Sequence, residues 1–143
     1  MSEPKAGSVR DMDRRECWQY LQEHHFGRIA VATREDLAIY PINYVVSSGR
    51  IWVRTSVGAK LFALLLDARV AFEIDGQDED SAWSVLVRGV GKETELPPGL
   101  DLPETNERPW VPGPREVLIE LTATRITGRA FTRAPTEPTP AAS

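Results

Sequence analysis

The stretch Ile51-Trp52-Val53-Arg54-Thr55-Ser56-Val57-Gly58-Ala59-Lys60-Leu61 decides how this chain is read. Ile51 to Thr55 has the composition of a short strand, and Gly58 marks a polar turn. Ala59 to Leu66 then reads as a helix, with Lys60 in its first turn. A helix start leaves backbone N–H groups without intrahelical partners, so hydroxyls and a cation beside it make a small anion site. Two fixed cations, Arg54 and Lys60, suit a phosphate monoester better than a lone carboxylate. The ligand these residues imply is a phosphorylated small molecule. Strand alternation sets Trp52, Arg54 and Ser56 on one face, with Ile51, Val53 and Thr55 on the other. An aromatic beside a cation reads either as a pocket wall for a planar, anionic ligand or as a solvent-facing strand with a snorkelling arginine.

Working outward, most of the chain alternates like strands. Arg28 to Thr33 is followed by a tight turn at Glu35-Asp36 and by Leu37 to Val46. Ser47-Ser48-Gly49 makes a second hairpin turn into Ile51 to Thr55. A fourth strand is expected over Val70 to Ile74, then a polar loop from Asp75 to Ser81, then a long strand from Trp83 to Glu95. Leu96 to Pro114 is proline-rich and reads as an ordered loop, and Glu116 to Thr122 and Arg125 to Phe131 close the chain. One helix precedes the strands, roughly Asp13 to His25. Asp13 caps it, Glu16 stands at capping-box spacing and Gly27 is its expected stop. Cys17, Tyr20 and Leu21 form its apolar stripe, with Trp18 on the flank.

Six or seven antiparallel strands joined mainly by hairpins predict a mainly β protein with few helices, a small barrel or sandwich. Pro41 within the second strand fits an edge or a bulge. The expected organisation is a flexible N-terminus over residues 1–12, one domain over 13–133 and a disordered proline-rich tail over 134–143.

Bulk composition excludes several classes. With 143 residues, one domain is expected and no staple is needed to hold it. The net charge of −4 and pI near 5.2 argue against a nucleic-acid or anionic-membrane partner. The single cysteine, Cys17, forms no internal disulfide and reads as core. The first dozen residues do not resemble a signal peptide, and no apolar run is long enough to span a membrane. A reducing cytoplasm is the default compartment.

Other candidate residues follow from chemistry. Pro41-Ile42-Asn43-Tyr44 offers an interrupted ladder and an amide with donors and acceptors, suited to the polar rim of a flat heterocycle. The same run also reads as an edge strand guarded by proline. Trp83-Ser84 heads the fifth strand, and Trp110 sits in the proline-rich loop, where aromatics stack on ligands or plug barrels. His24 and His25 point to different faces of a helix, so they do not readily share a metal. Asp75 to Asp80 lacks the spacing of a calcium loop. No nucleophilic triad, carboxylate pair or Walker-type motif is present, so any redox chemistry would come from a bound cofactor.

The segments DRRECWQYLQ (13–22), GRIAV (27–31), YPINYVV (40–46), SGRIWVRTSVGAKL (48–61), VAFEID (70–75), WSVLVRGVG (83–91), PWVPGPREVLIEL (109–121) and ITGRAF (126–131) follow in a characteristic order. In that order the chain resembles the pyridoxamine 5′-phosphate oxidase-like, FMN-binding split-barrel family, in its nitroimidazole-resistance-like branch. The resemblance implies a six-stranded split β-barrel and a homodimer with cofactor sites at the subunit interface. It implies that Arg54, Thr55, Ser56 and Lys60, with Leu61 beside them, hold the FMN phosphate. It places Pro41, Ile42, Asn43 and Tyr44 along the isoalloxazine edge. Trp83 and Ser84 would reach FMN, from the partner subunit, and Trp110 would close the pocket. The C-terminal run ITGRAFTRAPTEPTP departs from the substrate-phosphate site of the family's pyridoxamine-phosphate oxidases. The implied activity is flavin-dependent reduction of a small acceptor. A non-catalytic flavin carrier, a deazaflavin protein and a haem protein stand as alternatives on the same barrel.

Overall fold

The computed structural model describes residues 7–32, 37–55, 69–92 and 117–134, and side chains throughout these except those of Arg54, Thr55, Val117 and Leu118. Its elements, in chain order, are β1 (Val9–Met12), α1 (Arg14–Glu23), β2 (Phe26–Ala32), β3 (Leu37–Ser47), β4 (Arg50–Thr55), β5 (Arg69–Gln77), β6 (Ser81–Lys92) and β7 (Val117–Thr132). All pairings are antiparallel, in the order β1-β7-β4-β3-β2-β5-β6, and β6 also pairs with β7. That last pairing closes six strands into a ring. β4 follows β7 only as far as Leu121, and β1 takes up the ladder at Gly128. The gap between them makes this a split barrel.

Alternation fills the ring. Ile29, Val31, Ile42, Tyr44, Ile51, Val53, Phe72, Ile74, Val85, Val87, Ile119 and Leu121 are all buried and form one cluster. These are the period-2 positions of six strands facing one interior. α1 packs on β7, β3 and β6 and adds Cys17 and Leu21, both fully buried, to the same cluster. Burial pushes the Cys17 thiol above its ordinary pKa, as expected of a core residue. Asp13 is the N-cap: its carboxylate accepts a hydrogen bond from the Glu16 backbone N–H at 2.8 Å.

The β3–β4 hairpin has the turn its sequence predicts. Ser47 pairs with Arg50, and Ser48 and Gly49 both have positive φ, 53° and 70°. That is the type I′ geometry whose twist matches the flanking strands. Pro41 stands opposite Arg28 of β2 on a strand that lies between β2 and β4, and among the described residues the β4 ladder begins at Asn43.

Five expectations are corrected. Val9–Met12, placed in the flexible N-terminus, form β1 on the free edge of β7. Met12 anchors it in the core, and Arg10 forks onto Glu16 at 2.8 and 2.9 Å. α1 ends at Glu23 with His24 as its cap, and Gly27 is a β2 residue opposite Ile42. Asp75 to Gln77 continue β5 instead of opening a loop, because the turn is made by Asp78. Its carboxylate accepts from the N–H groups of Asp80 and Ser81, which also hold it below the usual carboxylate range. Glu116–Thr122 and Arg125–Phe131 are not two strands: Val117–Thr132 is one, with a register shift opposite Arg88 and Gly89. Thr124 sits in that shift and donates its hydroxyl to the Arg88 carbonyl. The Glu35-Asp36 turn, the helix over 59–66 and the loop over 96–114 lie outside the described residues.

Candidate functional site

Two of the segments the sequence singled out, Pro41–Tyr44 and Trp52–Arg54, are neighbours on β3 and β4. On β3, Ile42 and Tyr44 point into the barrel, so Pro41, Asn43 and Val45 face outward. On β4, Ile51 and Val53 are interior and Trp52 is on the outer face. Register sets Asn43 directly opposite Arg54, and Val45 opposite Trp52. Two segments read independently, one for its amide and one for its cation, are thus cross-strand neighbours.

This face is not solvent-washed. Trp52 is 1% exposed and Val45 4%, although neither belongs to the barrel's core cluster. The solvent-facing reading of Trp52 is therefore set aside. Among the described residues two polar atoms here are buried without a hydrogen-bond partner: Asn43 Oδ1, an acceptor, and Trp52 Nε1, a donor. Buried polar atoms are nearly always satisfied, and leaving one unmade costs about 1–3 kcal/mol. A ligand that presents a donor and an acceptor edge to this face would satisfy both. Glu120 lies opposite Trp52 on β7 and takes Arg50 at 3.5 Å.

Tyr44 serves the scaffold through its side chain. It is fully buried, meets Phe72 edge-on at 4.9 Å and donates its hydroxyl to the Leu21 carbonyl at 2.7 Å. That bond ties the last turn of α1 to β3. Burial raises its phenol well above the ordinary value, so it remains a neutral donor. Only its backbone is available to a ligand, and the same holds for Ile42.

Trp83 is elsewhere. Its ring packs against Tyr20 at 4.3 Å and His24 at 4.7 Å, beneath α1. His24 Nδ1–H donates to the Tyr20 carbonyl at 2.8 Å, which fixes the tautomer because a carbonyl only accepts. Within the described residues the Trp83 side chain anchors α1 and does not face β3 and β4. Ser84, the next residue, lines an outer groove of β6 and β7 instead. His25 is exposed, and the described residues contain no cluster of three metal-ligating side chains. Ser56, Lys60, Leu61 and Trp110 lie outside the described residues, as do the side chains of Arg54 and Thr55.

One polar cluster was missed by the sequence reading. Arg28 on β2 contacts Glu73 at 2.8 Å and Asp75 at 2.6 Å on β5. Contact with Glu73, and then with Arg28, holds the Asp75 carboxyl below its ordinary range. All three side chains are about half exposed, so their pairing adds little stability. Alternation of β2 and β5 would have revealed the shared face, had their register been known.

Comparison with known proteins follows this geometry. The family model for pyridoxamine 5′-phosphate oxidase matches residues 13–137. The uncharacterized protein Rv0080 of Mycobacterium tuberculosis is 30% identical over 135 residues, covering 89% of this chain and 88% of that one. The FAD-binding protein of Mycobacterium smegmatis is 30% identical, with a TM-score of 0.69 over 87% of this chain and 99% of its own. A candidate 5-nitroimidazole antibiotic resistance protein of Bacteroides thetaiotaomicron shares the fold at 10% identity, with a TM-score of 0.64 over 92% and 95%. A split barrel with this strand order, matched by one family model over nearly its whole length, belongs to the pyridoxamine 5′-phosphate oxidase family.

Proposed function

We propose that the chain binds a flavin on the outer face of β3 and β4 and uses it to reduce a small acceptor. The carrying observation is the pair Asn43 and Arg54, opposite in register, with the Asn43 amide oxygen buried and unpartnered. The imide edge of a flavin offers a donor to Asn43 and an acceptor to Trp52. The backbone from Pro41 to Tyr44 would run along the ring. Arg54, Thr55, Ser56 and Lys60, with Leu61 adjoining, would hold the phosphate next to the ribityl chain. FMN and FAD both carry that phosphate, and a relative of 30% identity is an FAD-binding protein. Trp110 would close the pocket. The Trp83 side chain is left out of this set because its ring is committed to α1.

When bound, a flavin supplies hydride acceptance from a reduced nicotinamide and electron delivery to a nitroaromatic or quinone. The chain's own part is to neutralise the phosphate, orient the ring and exclude water from one ring face. The test is an absorbance spectrum after adding FMN or FAD and removing the excess. Arg54→Ala with Lys60→Ala is expected to weaken flavin binding at least about hundredfold, since each charge-assisted contact contributes about 1.5–3 kcal/mol. Retained flavin in a double variant with native circular dichroism would overturn the phosphate assignment. Oxidation of reduced nicotinamide over many turnovers separates an enzyme from a flavin carrier.

The same reading includes a homodimer. The outer face of β2 and β3 shows Phe26, Leu37 and Ile39 at 48%, 72% and 67% exposure, beside Pro41, Ala30 and Ala32. Arg28, held by Glu73 and Asp75, interrupts this face between Phe26 and Ala30, and the exposed apolar part around Leu37 and Ile39 is the kind of patch that marks an interaction surface. Ile39→Glu is expected to turn a dimer into a monomer in sedimentation equilibrium at micromolar concentration. A parent protein that is already monomeric with flavin bound would sink the dimer.

A further inference from the structure

We propose that Phe26 is a positioning residue for the flavin, an aromatic wall that flanks the imide edge on the β2 side of Asn43. The inference rests on the flavin reading of the β3–β4 face and adds a residue from a third strand. Register places Phe26 opposite Asn43 and Asn43 opposite Arg54, so the three stand in one row across β2, β3 and β4. Gly27 is buried on the interior side of β2, so Phe26 before it faces outward, as Asn43 does. The Tyr44 N–H donates to the His25 carbonyl at 2.9 Å. That bond makes Phe26 and Asn43 a non-hydrogen-bonded pair, the arrangement that brings Cα atoms to about 4.5 Å and side chains closest together. Asn43 turns its own backbone groups toward β4, so it stands closer to Phe26 than to Arg54.

The two members of this pair contrast. Asn43 Oδ1 is buried without a partner among the described residues, whereas Phe26 is 48% exposed. A lone exposed aromatic is ordinary on a protein surface. One held against an unsatisfied buried acceptor gives a flat ligand an apolar contact beside its polar one. The β2–β5 ladder begins at Arg28 and does not reach Phe26. Arg28, held by Glu73 and Asp75, also separates Phe26 from the exposed Leu37 and Ile39. Position therefore groups Phe26 with Asn43 and not with that patch. A donor edge hydrogen-bonded to Asn43 Oδ1 would bring the flavin against the Phe26 ring, where offset or edge-on aromatic contact is favourable. The apolar wall would also keep water from the Asn43 bond, and a hydrogen bond shielded from water is stronger. Phe26 carries no group that takes or gives a proton, so its part is placement and exclusion.

The test is equilibrium titration of FMN, and separately of FAD, into the full chain, with the visible absorption band of the bound flavin recorded at saturation. Phe26→Ala is expected to weaken binding of the flavin the parent takes by about fivefold or more, the scale of a lost aromatic contact. Phe26→Leu, apolar but not aromatic, should fall between. At saturation the band in Phe26→Ala should return part of the way toward that of free flavin, because the ring's surroundings have changed. Arg54→Ala/Lys60→Ala, which acts on the phosphate, should leave the band of its saturated flavin as in the parent. Phe26 is half exposed, so Phe26→Ala should melt within about 2 °C of the parent before flavin is added. Parental affinity and an unmoved band in Phe26→Ala overturn the proposal and leave the flavin reading standing. Weaker binding that comes with a halved mass in sedimentation equilibrium also overturns it, and makes Phe26 an interface residue. A parent that takes up neither flavin removes the flavin reading and this inference with it.

Discussion

Gly27→Val is expected to destabilise the barrel by more than about 3 kcal/mol, at the upper end of overpacking costs and a large share of a domain's net stability. Gly27 faces inward on β2, just before the run that pairs with β5. A Cβ there would stand 2.5 Å from the Glu73 carbonyl oxygen and 2.9 Å from both Ile74 Cγ2 and Phe72 Cζ. The first of these is backbone, which cannot rotate away. Relief requires β5 to move off β2, and that opens the ladder holding Ile29, Val31, Phe72 and Val70. Chemical denaturation should show a lower midpoint with an unchanged slope. An unaltered midpoint would mean that the β2–β5 spacing is set by something other than this contact. Gly27→Ala should produce the same effect at smaller size.

Gly27 also shows what the sequence could convey. A glycine soon after a helical run reads as a helix stop, and only the partner strand reveals that it is needed for close approach. The local devices were legible. Asp13 caps α1, and Ser48-Gly49 turns the β3–β4 hairpin, because each depends on residues within four positions of itself. Elements that depend on a distant partner were not. Val9–Met12 carries little apolar signal and becomes a strand only because β7 offers a free edge. β7 reads as two strands because Thr124 interrupts its alternation, and the ladder absorbs that residue in a register shift. At the candidate site, Asn43 and Arg54 were each identified by their own chemistry. Their juxtaposition and the missing partner of the Asn43 oxygen follow from register and burial, which one strand alone does not specify. The family resemblance supplied the order of the elements and left the faces to be found.

Trp83 packs under α1 within its own chain, and its replacement separates a packing role from a cofactor role. An aromatic at the head of a strand can stack on a ligand or fill the end of a barrel. Here the ring lies between Tyr20 and His24 of α1 on one side and the core on the other. β5 supplies Gly76 opposite it, leaving room where any Cβ would come within 2.9 Å of the indole. Trp83→Ala is therefore expected to cost about 3 kcal/mol, the low end for a large aromatic because the ring is only partly buried. α1 should loosen without detaching, since Cys17, Leu21, Trp18, the bond from Tyr44 to Leu21 and the Arg10–Glu16 pair still tie it to the barrel. Trp83→Phe should recover most of the loss by refilling the space under Tyr20. Flavin affinity, measured below the melting transition, should change by less than about threefold in both variants. A variant with parental stability that no longer retains flavin would reverse the assignment and return Trp83 to the cofactor site. Measuring stability and affinity on the same preparation decides between them, because a packing residue moves the first and a ligand contact moves the second.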